Sequence, residues 1–246
     1  MISGKASAGK DVSAAFLKEL IGPGKTHILP FAATLKEVTC QLWGFSLEEM
    51  QSNYDIKAKA RPLLIKLGSL VREIDPYVWV NVVIRKILEI EKQREDQVVL
   101  ISDGRFLNEA YRLVSQFGHA VRILRISCPV DLRLKRMGEA RGAEYLVGPS
   151  QDPSETQLDL LENIRKVPMG QEEDVRRIKH VTTVLLNNET IPDLKVKLGA
   201  WWRADPFAPP SSGVQPWTVG NLAESLFNLA KNLGPEEVLM LKERWK

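Results

Sequence analysis

Cysteine is scarce in this sequence. The 246 residues include two cysteines, Cys40 and Cys128, and these form neither a C-x-x-C pair nor another zinc-like spacing. A zinc site built from cysteines is therefore excluded. We interpret both residues as small buried thiols in a reducing compartment, with a disulfide between them as the alternative.

The sequence also lacks a strong charge excess and a long apolar run. Its net charge of +3 is too small to indicate nucleic-acid or membrane binding. The most apolar run, residues 77–84, is too short to cross a bilayer. Residues 1–10 precede an amphipathic stretch, which is unlike a signal peptide. We therefore expect a soluble, cytoplasmic protein that binds neither nucleic acid nor membranes.

What the chain does have is an ordinary globular composition, with 44% apolar and 26% charged residues. Short β-branched runs alternate with segments of helical periodicity, which predicts an α/β fold with a parallel central sheet flanked by helices. The runs are apolar nearly throughout, as in strands buried on both faces. They cover residues 27–31, 98–102, 120–127 and 181–186.

Helices are predicted between these strands. Pro62 is expected at the first position of one helix, and Asp75 is expected to cap a second helix that runs to about Gln93. A capping-box pattern begins at Ser154. The predicted helices cover residues 10–20, 34–42, 62–71, 76–93, 106–117 and 130–140.

The chain changes character after the main domain, residues 1–202. Residues 203–217 are rich in proline, serine and glycine and are predicted to form a linker. Apolar side chains then recur at helical spacing, which predicts a helical tail over residues 218–246. The tail is expected to pack on the main domain or to mediate homodimer formation. Its apolar stripe consists of Leu222, Leu226, Leu229 and Leu233.

Residues 4–10, Gly-Lys-Ala-Ser-Ala-Gly-Lys, match the G-x-x-x-x-G-K portion of a P-loop. The glycines let the backbone turn tightly, so that its N–H groups point at phosphate oxygens. Lys10 adds a positive charge near the β and γ phosphates, and the following helix adds its dipole. The motif predicts ATP binding, and the alternative is a glycine-rich surface turn before a helix.

The loop departs from the usual motif at its metal position. Asp11 stands where Ser or Thr usually ligates Mg²⁺, and Ser13 is the nearest hydroxyl. Asp11, acting through a water molecule, and Ser13 are therefore the candidate metal ligands of the loop. Only residues 1–3 precede Gly4, so the strand that supports the loop is expected to be short. A late or truncated start of the chain is one explanation for a short strand.

Charged residues at the ends of the other predicted strands agree with a ligand site at one edge of the sheet. In doubly wound sheets, ligands bind beyond the carboxyl ends of the strands. Asp103 follows the strand predicted at residues 98–102, where its carboxylate could order Mg²⁺. Capping of the helix that begins near Phe106 is the alternative role for Asp103. Arg105 would reach an anionic acceptor.

Three further basic residues could serve the same edge. Lys36 follows the first of these strands, and a solvated lysine is the alternative interpretation. Arg61 and Arg72 are about three helical turns apart, so they share a helix face. There Arg72 could bind phosphate or pair with Glu73 beside it.

A basic segment follows the strand predicted at residues 120–127. Phosphoryl transfer needs cations that stabilise charge on the transferring oxygens, and a lid that excludes water. We therefore predict an arginine-rich lid at about residues 133–153, although a solvated helix face gives the same charge pattern. Its basic residues are Arg133, Lys135, Arg136 and Arg141.

Four segments together resemble the deoxynucleoside monophosphate kinases of bacteriophages. The first is the loop, where that family commonly has Asp after the lysine, as Asp11 is here. The second is FAATLKE over residues 31–37, and the third, residues 61–81, resembles the family's acceptor-binding region. The most specific is DGRFLNE over residues 103–109. The resemblance covers roughly residues 1–190.

The resemblance implies a P-loop nucleoside monophosphate kinase fold that uses ATP and Mg²⁺ to phosphorylate a 5′-monophosphate. The acceptor-binding region would cover about residues 32–95. Taken with the reasoning above, the candidate catalytic residues are Lys10, Asp103, Arg105, Arg136 and Arg141. The candidate cofactor-binding residues are Gly4, Lys5, Ala8, Gly9, Lys10, Asp11, Val12 and Arg133. The candidate acceptor-binding residues are Lys36, Arg61, Arg72, Trp79, Arg105, Asn108, Glu109 and Glu155, and the candidate metal ligands are Asp11, Ser13 and Asp103.

Two features depart from that family. Glu155 lies in Asp-Pro-Ser-Glu over residues 152–155, where the family often has His-x-Ser-Glu, and the tail beyond residue 203 has no counterpart. Two other functions remain open. One is a kinase like the animal phosphomevalonate kinases, whose loop also carries Gly-Lys-Asp. The other is a non-catalytic nucleotide-binding protein that has kept the fold.

Overall fold

The structure is a computed structural model, which describes residues 1–94, 96–141 and 178–204. The side chains of Tyr54, Ala140 and Arg141 lie outside that description. So do the predicted lid beyond residue 141, the capping box at Ser154, the linker and the tail. The predictions made for those segments stay predictions.

A parallel sheet forms the centre of the fold, as the sequence predicts. β1 pairs in parallel with β4, β4 with β5, and β2 with β3. β4 is buried over nearly its whole length, because helices cover both of its faces. The strands are β1 Ile2–Ser3, β2 Thr26–Ile28, β3 Val98–Leu100, β4 Ile123–Ser127 and β5 Thr182–Leu186.

Backbone hydrogen bonds also join β1 to the residues that directly follow β3. The N–H of Ile2 donates to the carbonyl of Ile101 over 2.6 Å, and the N–H of Gly104 donates to the carbonyl of Ile2 over 3.2 Å. β1 therefore lies between β3 and β4, and the strand order is β2-β3-β1-β4-β5. The short first strand, predicted from the few residues before Gly4, is thus held on both sides by buried neighbours.

Helices connect the strands and cover the sheet. Asn53 caps α4, because its side-chain oxygen accepts hydrogen bonds from the N–H groups of Asp55 and Ile56. Gly44 ends α2 with a left-handed backbone at φ +75°. The helices are α1 Lys10–Ile21, α2 Ala32–Trp43, α3 Leu47–Ser52, α4 Tyr54–Ile74, α5 Val78–Gln93, α6 Leu107–Phe117, α7 Val130–Arg141 and α8 Ile191–Ala204.

Three details of the helix prediction are wrong. Pro62 lies inside α4 and does not begin it, because the helix starts eight residues earlier, at Tyr54. The carbonyl left without a helical partner belongs to Ala58, which is exposed to solvent together with Pro62. Asp75 follows α4 and accepts a hydrogen bond from the N–H of Tyr77, so α5 begins only at Val78. The sequence analysis also missed α3 and α8.

Two apolar clusters lie on opposite faces of the sheet. Ile123 belongs to the cluster under α2, α5 and α6, whereas Leu124 belongs to the cluster under α1 and α8. This alternation is what the two-residue period of a strand requires. The sheet edge at the carboxyl ends of the strands, where the candidate site lies, is therefore supported from both faces.

Candidate phosphate-transfer site

The glycine-rich loop runs from β1 to α1, between Ser3 and Lys10. A Cβ atom at Gly4 would lie 2.8 Å from the carbonyl oxygen of Ile126 in β4, so the loop can approach β4 only without a side chain there. Gly9 adopts φ +104°, a conformation that residues with side chains rarely take. Both glycines of the motif are thus required by the geometry of the loop.

Lys10 is half-buried and its ammonium group lies across the loop. It donates hydrogen bonds to the carbonyl oxygens of Gly4 at 2.6 Å and Lys5 at 2.9 Å. The N–H of Ala8 donates to the carbonyl of Lys5 at 3.2 Å, which closes a tight turn. The loop therefore places a positive charge inside a backbone turn at the N-terminus of α1, the arrangement that binds phosphate.

The other predicted residues of the loop take different positions. Asp11 is exposed in the first turn of α1, and Val12 is partly buried against the apolar cluster under α1. Ser13 is fully buried, and its hydroxyl donates to the carbonyl of Gly9 at 2.9 Å. The structure therefore leaves Asp11 accessible as a metal-ordering group and turns the Ser13 hydroxyl away from solvent.

Asp103 lies beside the loop at the same edge of the sheet. Gly104, the next residue, forms a parallel bridge with Ser3, which directly precedes Gly4. The Asp103 carboxylate accepts hydrogen bonds from the N–H groups of Phe31 at 2.7 Å and Ala32 at 3.0 Å. It therefore caps α2, and the alternative that it caps the helix near Phe106 is wrong.

Arg72 and Glu109 form the centre of a second cluster, on the side of the site that is predicted to bind the acceptor, called the acceptor side below. A guanidinium nitrogen of Arg72 lies 3.8 Å from a carboxylate oxygen of Glu109, and the group lies over the ring of Phe106 with 4.2 Å to its centroid. Arg72 also donates to the carbonyl of Gly68 at 3.1 Å, as does the indole nitrogen of Trp79 at 3.3 Å. These contacts hold Arg72 between α4 and the start of α6.

Glu109 is 3% exposed and organises the turn that carries Arg105. One of its oxygens accepts hydrogen bonds from the N–H groups of Arg105 at 2.9 Å and Phe106 at 3.0 Å. Burial, with a smaller contribution from the charge of Asp103, raises the pKa of Glu109 to about 7, although the two hydrogen bonds and Arg72 lower it. Glu109 therefore shapes the acceptor side from within and is nearly inaccessible to a ligand.

The remaining acceptor candidates lie around this cluster. Arg105 is half-buried in the turn, and the Asn108 side chain donates to the carbonyl of Pro76 at 2.7 Å. Lys36 is half-buried in the second turn of α2, and Arg61 is exposed on α4, the helix that also carries Arg72. Arg61 and Arg72 both lie within α4, which is longer at both ends than the helix predicted over residues 62–71. Trp79 is 7% exposed, so it acts through packing.

The arginines at the base of the predicted lid contact the phosphate side. Arg133 donates to the carbonyl of Ala6 in the loop at 3.2 Å. Arg136 donates to the carbonyl of Glu189 at 2.9 Å and to the side-chain oxygen of Asn187 at 3.4 Å. Lys135 pairs with Glu139 on the exposed face of α7. The first turns of α7 thus belong to the fixed part of the site, while the Arg141 side chain and Glu155 lie outside the described residues.

Asn187 is a site residue that the sequence analysis missed. It lies directly after β5, is 4% exposed, and donates to the carbonyl of Ala8 at 2.8 Å. Its position at the carboxyl end of a predicted strand was the available signal, the same signal that singled out Asp103.

The two cysteines are free thiols. Cys40 is buried, whereas Cys128 is half-buried at the end of β4 and lies 3.3 Å from Arg136. Burial raises the pKa of Cys128, and Arg136 and Arg133 lower it to a smaller extent.

Among the described residues, no three His, Cys, Asp or Glu side chains cluster as they would around a metal ion. In that same part of the chain, no helix combines the length and apolar character needed to cross a membrane.

A family profile described as phosphomevalonate kinase matches residues 2–119. The match includes both the glycine-rich loop and the segment from Asp103 to Glu109. It supports a kinase-like transfer of a phosphoryl group at this site. A comparison with curated proteins gave no match.

Two solved structures are similar to this chain at low sequence identity. One is TT1252 from Thermus thermophilus, at 20% identity and a TM-score of 0.39, covering 81% of this chain and 93% of that one. The other is shikimate kinase from Acinetobacter baumannii in complex with shikimate, at 18% identity and a TM-score of 0.37, covering 80% of this chain and 88% of that one.

Proposed function

We propose that this protein transfers the γ-phosphoryl group of ATP to a small phosphate monoester, with a deoxynucleoside 5′-monophosphate as the leading acceptor. The observation that carries the proposal is the pairing of β1 with the segment that directly follows β3. This pairing sets Ser3 against Gly104, and so brings the glycine-rich loop beside the segment that carries Asp103 and Arg105. A donor site and an acceptor site then share one edge of the sheet.

The donor side fits the phosphates of ATP. The loop is bare of side chains where it turns at Gly4 and Gly9, and Lys10 lies inside it. Backbone N–H groups, the Lys10 ammonium and the dipole of α1 all favour negative charge at this position. Arg133 adds a second cation that contacts the loop at Ala6.

Magnesium would be held by few protein groups here. Mg²⁺ commonly binds one or two carboxylates together with phosphates and water, so a cluster of three protein ligands is not required. The exposed Asp11 fits this role, and Asp103 fits it through its remaining lone pairs. When bound, the ion would offset charge on the transferring phosphoryl oxygens.

The acceptor side offers the guanidinium groups of Arg72 and Arg105. Arg105 follows Asp103 by two residues, and the Glu109 carboxylate fixes the backbone of that turn. Arg72 approaches from α4 and lies over Phe106. Guanidinium groups bind phosphate through paired hydrogen bonds, so Arg72 and Arg105 are suited to hold a phosphate monoester in line with the donor.

Phosphomevalonate is the second candidate acceptor. The profile match over residues 2–119 favours it, whereas the FAATLKE segment and the IDPYVWVN segment over residues 74–81 favour a nucleotide. Both acceptors are phosphate monoesters, so the same arginines would serve either. The difference lies in the group attached to the phosphate.

The test is a coupled assay of ADP release. ATP and Mg²⁺ would be supplied with each common deoxy- and ribonucleoside monophosphate in turn, and with phosphomevalonate. We expect rapid ADP release with one class of acceptor, and a raised melting temperature for that acceptor in a thermal-shift panel. ATP binding without ADP release for every acceptor would instead favour a non-catalytic nucleotide-binding protein.

A further inference from the structure

We propose that Asn187 is a positioning residue that orients the Ala8–Gly9 peptide of the phosphate loop and links the loop to α7. The proposal rests on the proposed function, because the loop's role in binding phosphate is part of it. Neither the P-loop motif, which ends at Lys10, nor the profile match, which ends at residue 119, includes Asn187.

Asn187 sets the plane of the peptide between Ala8 and Gly9. The side-chain amide of Asn187 donates to the carbonyl of Ala8 at 2.8 Å in a buried position. In a trans peptide, the carbonyl of one residue and the N–H of the next point in opposite directions. Holding the Ala8 carbonyl toward Asn187 therefore turns the N–H of Gly9 toward the opposite side, into the concave face of the loop.

Gly9 leaves the space that the Asn187 side chain occupies. A Cβ atom at this position would lie 2.6 Å from the side-chain nitrogen of Asn187, and 3.3 Å from Leu194 of α8. The glycine is therefore needed for a reason besides its positive φ, because it makes room for the asparagine. Gly9 and Asn187 form one unit, although they are far apart in the chain.

Asn187 also links the loop to α7. The backbone N–H of Asn187 donates to the carbonyl of Ser127 at 2.8 Å, which fixes its main chain to the end of β4. Its side-chain oxygen accepts from Arg136 at 3.4 Å, and Arg136 also binds the carbonyl of Glu189. One buried amide thus joins the phosphate loop, the sheet edge and the helix that carries the arginines.

The variants are chosen to separate positioning from folding. Asn187→Ala removes both side-chain contacts. Asn187→Asp keeps the size and the oxygen that faces Arg136, but it loses the donor to Ala8. Asn188→Ala is the matched control, because Asn188 is exposed and its side-chain oxygen accepts a hydrogen bond from Lys197, away from the loop.

The measurements are ATP affinity by calorimetry, steady-state kinetics, and amide hydrogen exchange over residues 4–10 without nucleotide. We expect both Asn187 variants to weaken ATP binding about tenfold, since a buried acceptor loses its donor. The KM for the acceptor should stay within about twofold, exchange in the loop should rise, and Asn188→Ala should match the wild type.

Unchanged loop exchange and ATP affinity in both folded Asn187 variants would overturn the proposal. An equal loss of affinity for ATP and acceptor would also overturn it, because that pattern indicates general loosening. If the wild-type protein fails to bind ATP, the proposed function fails instead. The phosphate part of this inference then fails with it, and the exchange data still decide whether Asn187 orients the loop.

Discussion

The two sides of the candidate site are built in different ways. The phosphate side is made from backbone, with carbonyl and N–H groups of residues 4–9 held by Lys10, Arg133 and Asn187. The acceptor side is made from ionisable side chains, with Arg72 held between Glu109 and Phe106. Backbone N–H and carbonyl dipoles do not change with pH in the ordinary range. The Glu109 carboxylate beside Arg72 does, because it gains or loses a proton.

The difference also separates binding of the common triphosphate group from discrimination between acceptors. Triphosphates are the same in every nucleotide, so under the proposed function a fixed turn supported by β1 and β4 would be sufficient to bind them. Acceptors differ, and neither arginine is part of the loop, because Arg72 lies on α4 and Arg105 lies in the turn before α6. The contrast therefore predicts distinct effects for substitutions on the two sides.

The largest effect is expected on the phosphate side, for Lys10→Ala. Removing the ammonium takes away charge stabilisation of the transferring group, which costs about 10³-fold in kcat, or about 4 kcal/mol. The ADP-release assay measures the rate, and circular dichroism checks that the fold is retained. Wild-type turnover in the folded variant would reject the assignment of the loop.

Glu109→Gln should change how stability depends on pH. The folded-state pKa of Glu109, about 7, lies above its unfolded value, so the native state holds a proton that the unfolded state has lost between those values. Stability should therefore fall as pH rises from about 4.5 to 7, by up to roughly 3 kcal/mol. Urea unfolding at several pH values should show a smaller fall in the Gln variant.

The control for this substitution is Glu48→Gln, at an exposed residue of α3. It should leave the wild-type pH dependence intact. If Glu109→Gln also left it intact, the titration of Glu109 would not be the source of the acceptor side's response to pH.

Arg105→Ala should separate the two sides in kinetics. Loss of one charged hydrogen-bonding group to the acceptor phosphate is expected to lower kcat/KM for the acceptor about 30-fold, or about 2 kcal/mol. The affinity for ATP should change by less than about threefold, because the loop keeps its own contacts. A collapse of ATP affinity alone would show that Arg105 serves the donor.

The smallest effect is expected for Asn53→Ala. Asn53 caps α4, the helix that carries Arg72, but it lies at the far end of that helix. Loss of the cap should cost about 1 kcal/mol of unfolding free energy and leave kcat unchanged. A large loss of acceptor turnover would mean that the order of the whole helix controls Arg72.

The phosphate side could largely be predicted from the sequence. Gly4, Gly9 and Lys10 are neighbours in the chain, and their spacing alone requires a tight turn before a helix. The strands and most helices followed from apolar patterns, although the predictions at residues 98–102, 120–127 and 181–186 extend beyond β3, β4 and β5 at one end, and the prediction at residues 27–31 starts and ends later than β2. Pro62 misled the prediction because packing of α4 outweighs the cost of an exposed proline inside a helix.

The partners of the charged residues could not be predicted in the same way. Asp103 binds N–H groups 72 and 71 positions away, and Asn187 binds a carbonyl 179 positions away. Such hydrogen bonds depend on the strand order and on differences of a few tenths of an ångström in the distance between donor and acceptor atoms. The sequence placed Asp103 at the right edge of the sheet, and the packed structure decided which groups it contacts.

The most direct test of the central claim is an NMR titration that follows the backbone amides of residues 4–10 as ATP and Mg²⁺ are added. The account predicts that the amides of the loop, with Gly9 among them, shift most, and that the shifts are lost in Lys10→Ala. Binding of ATP with no change in these amides, and with the main shifts elsewhere in the chain, would contradict the account.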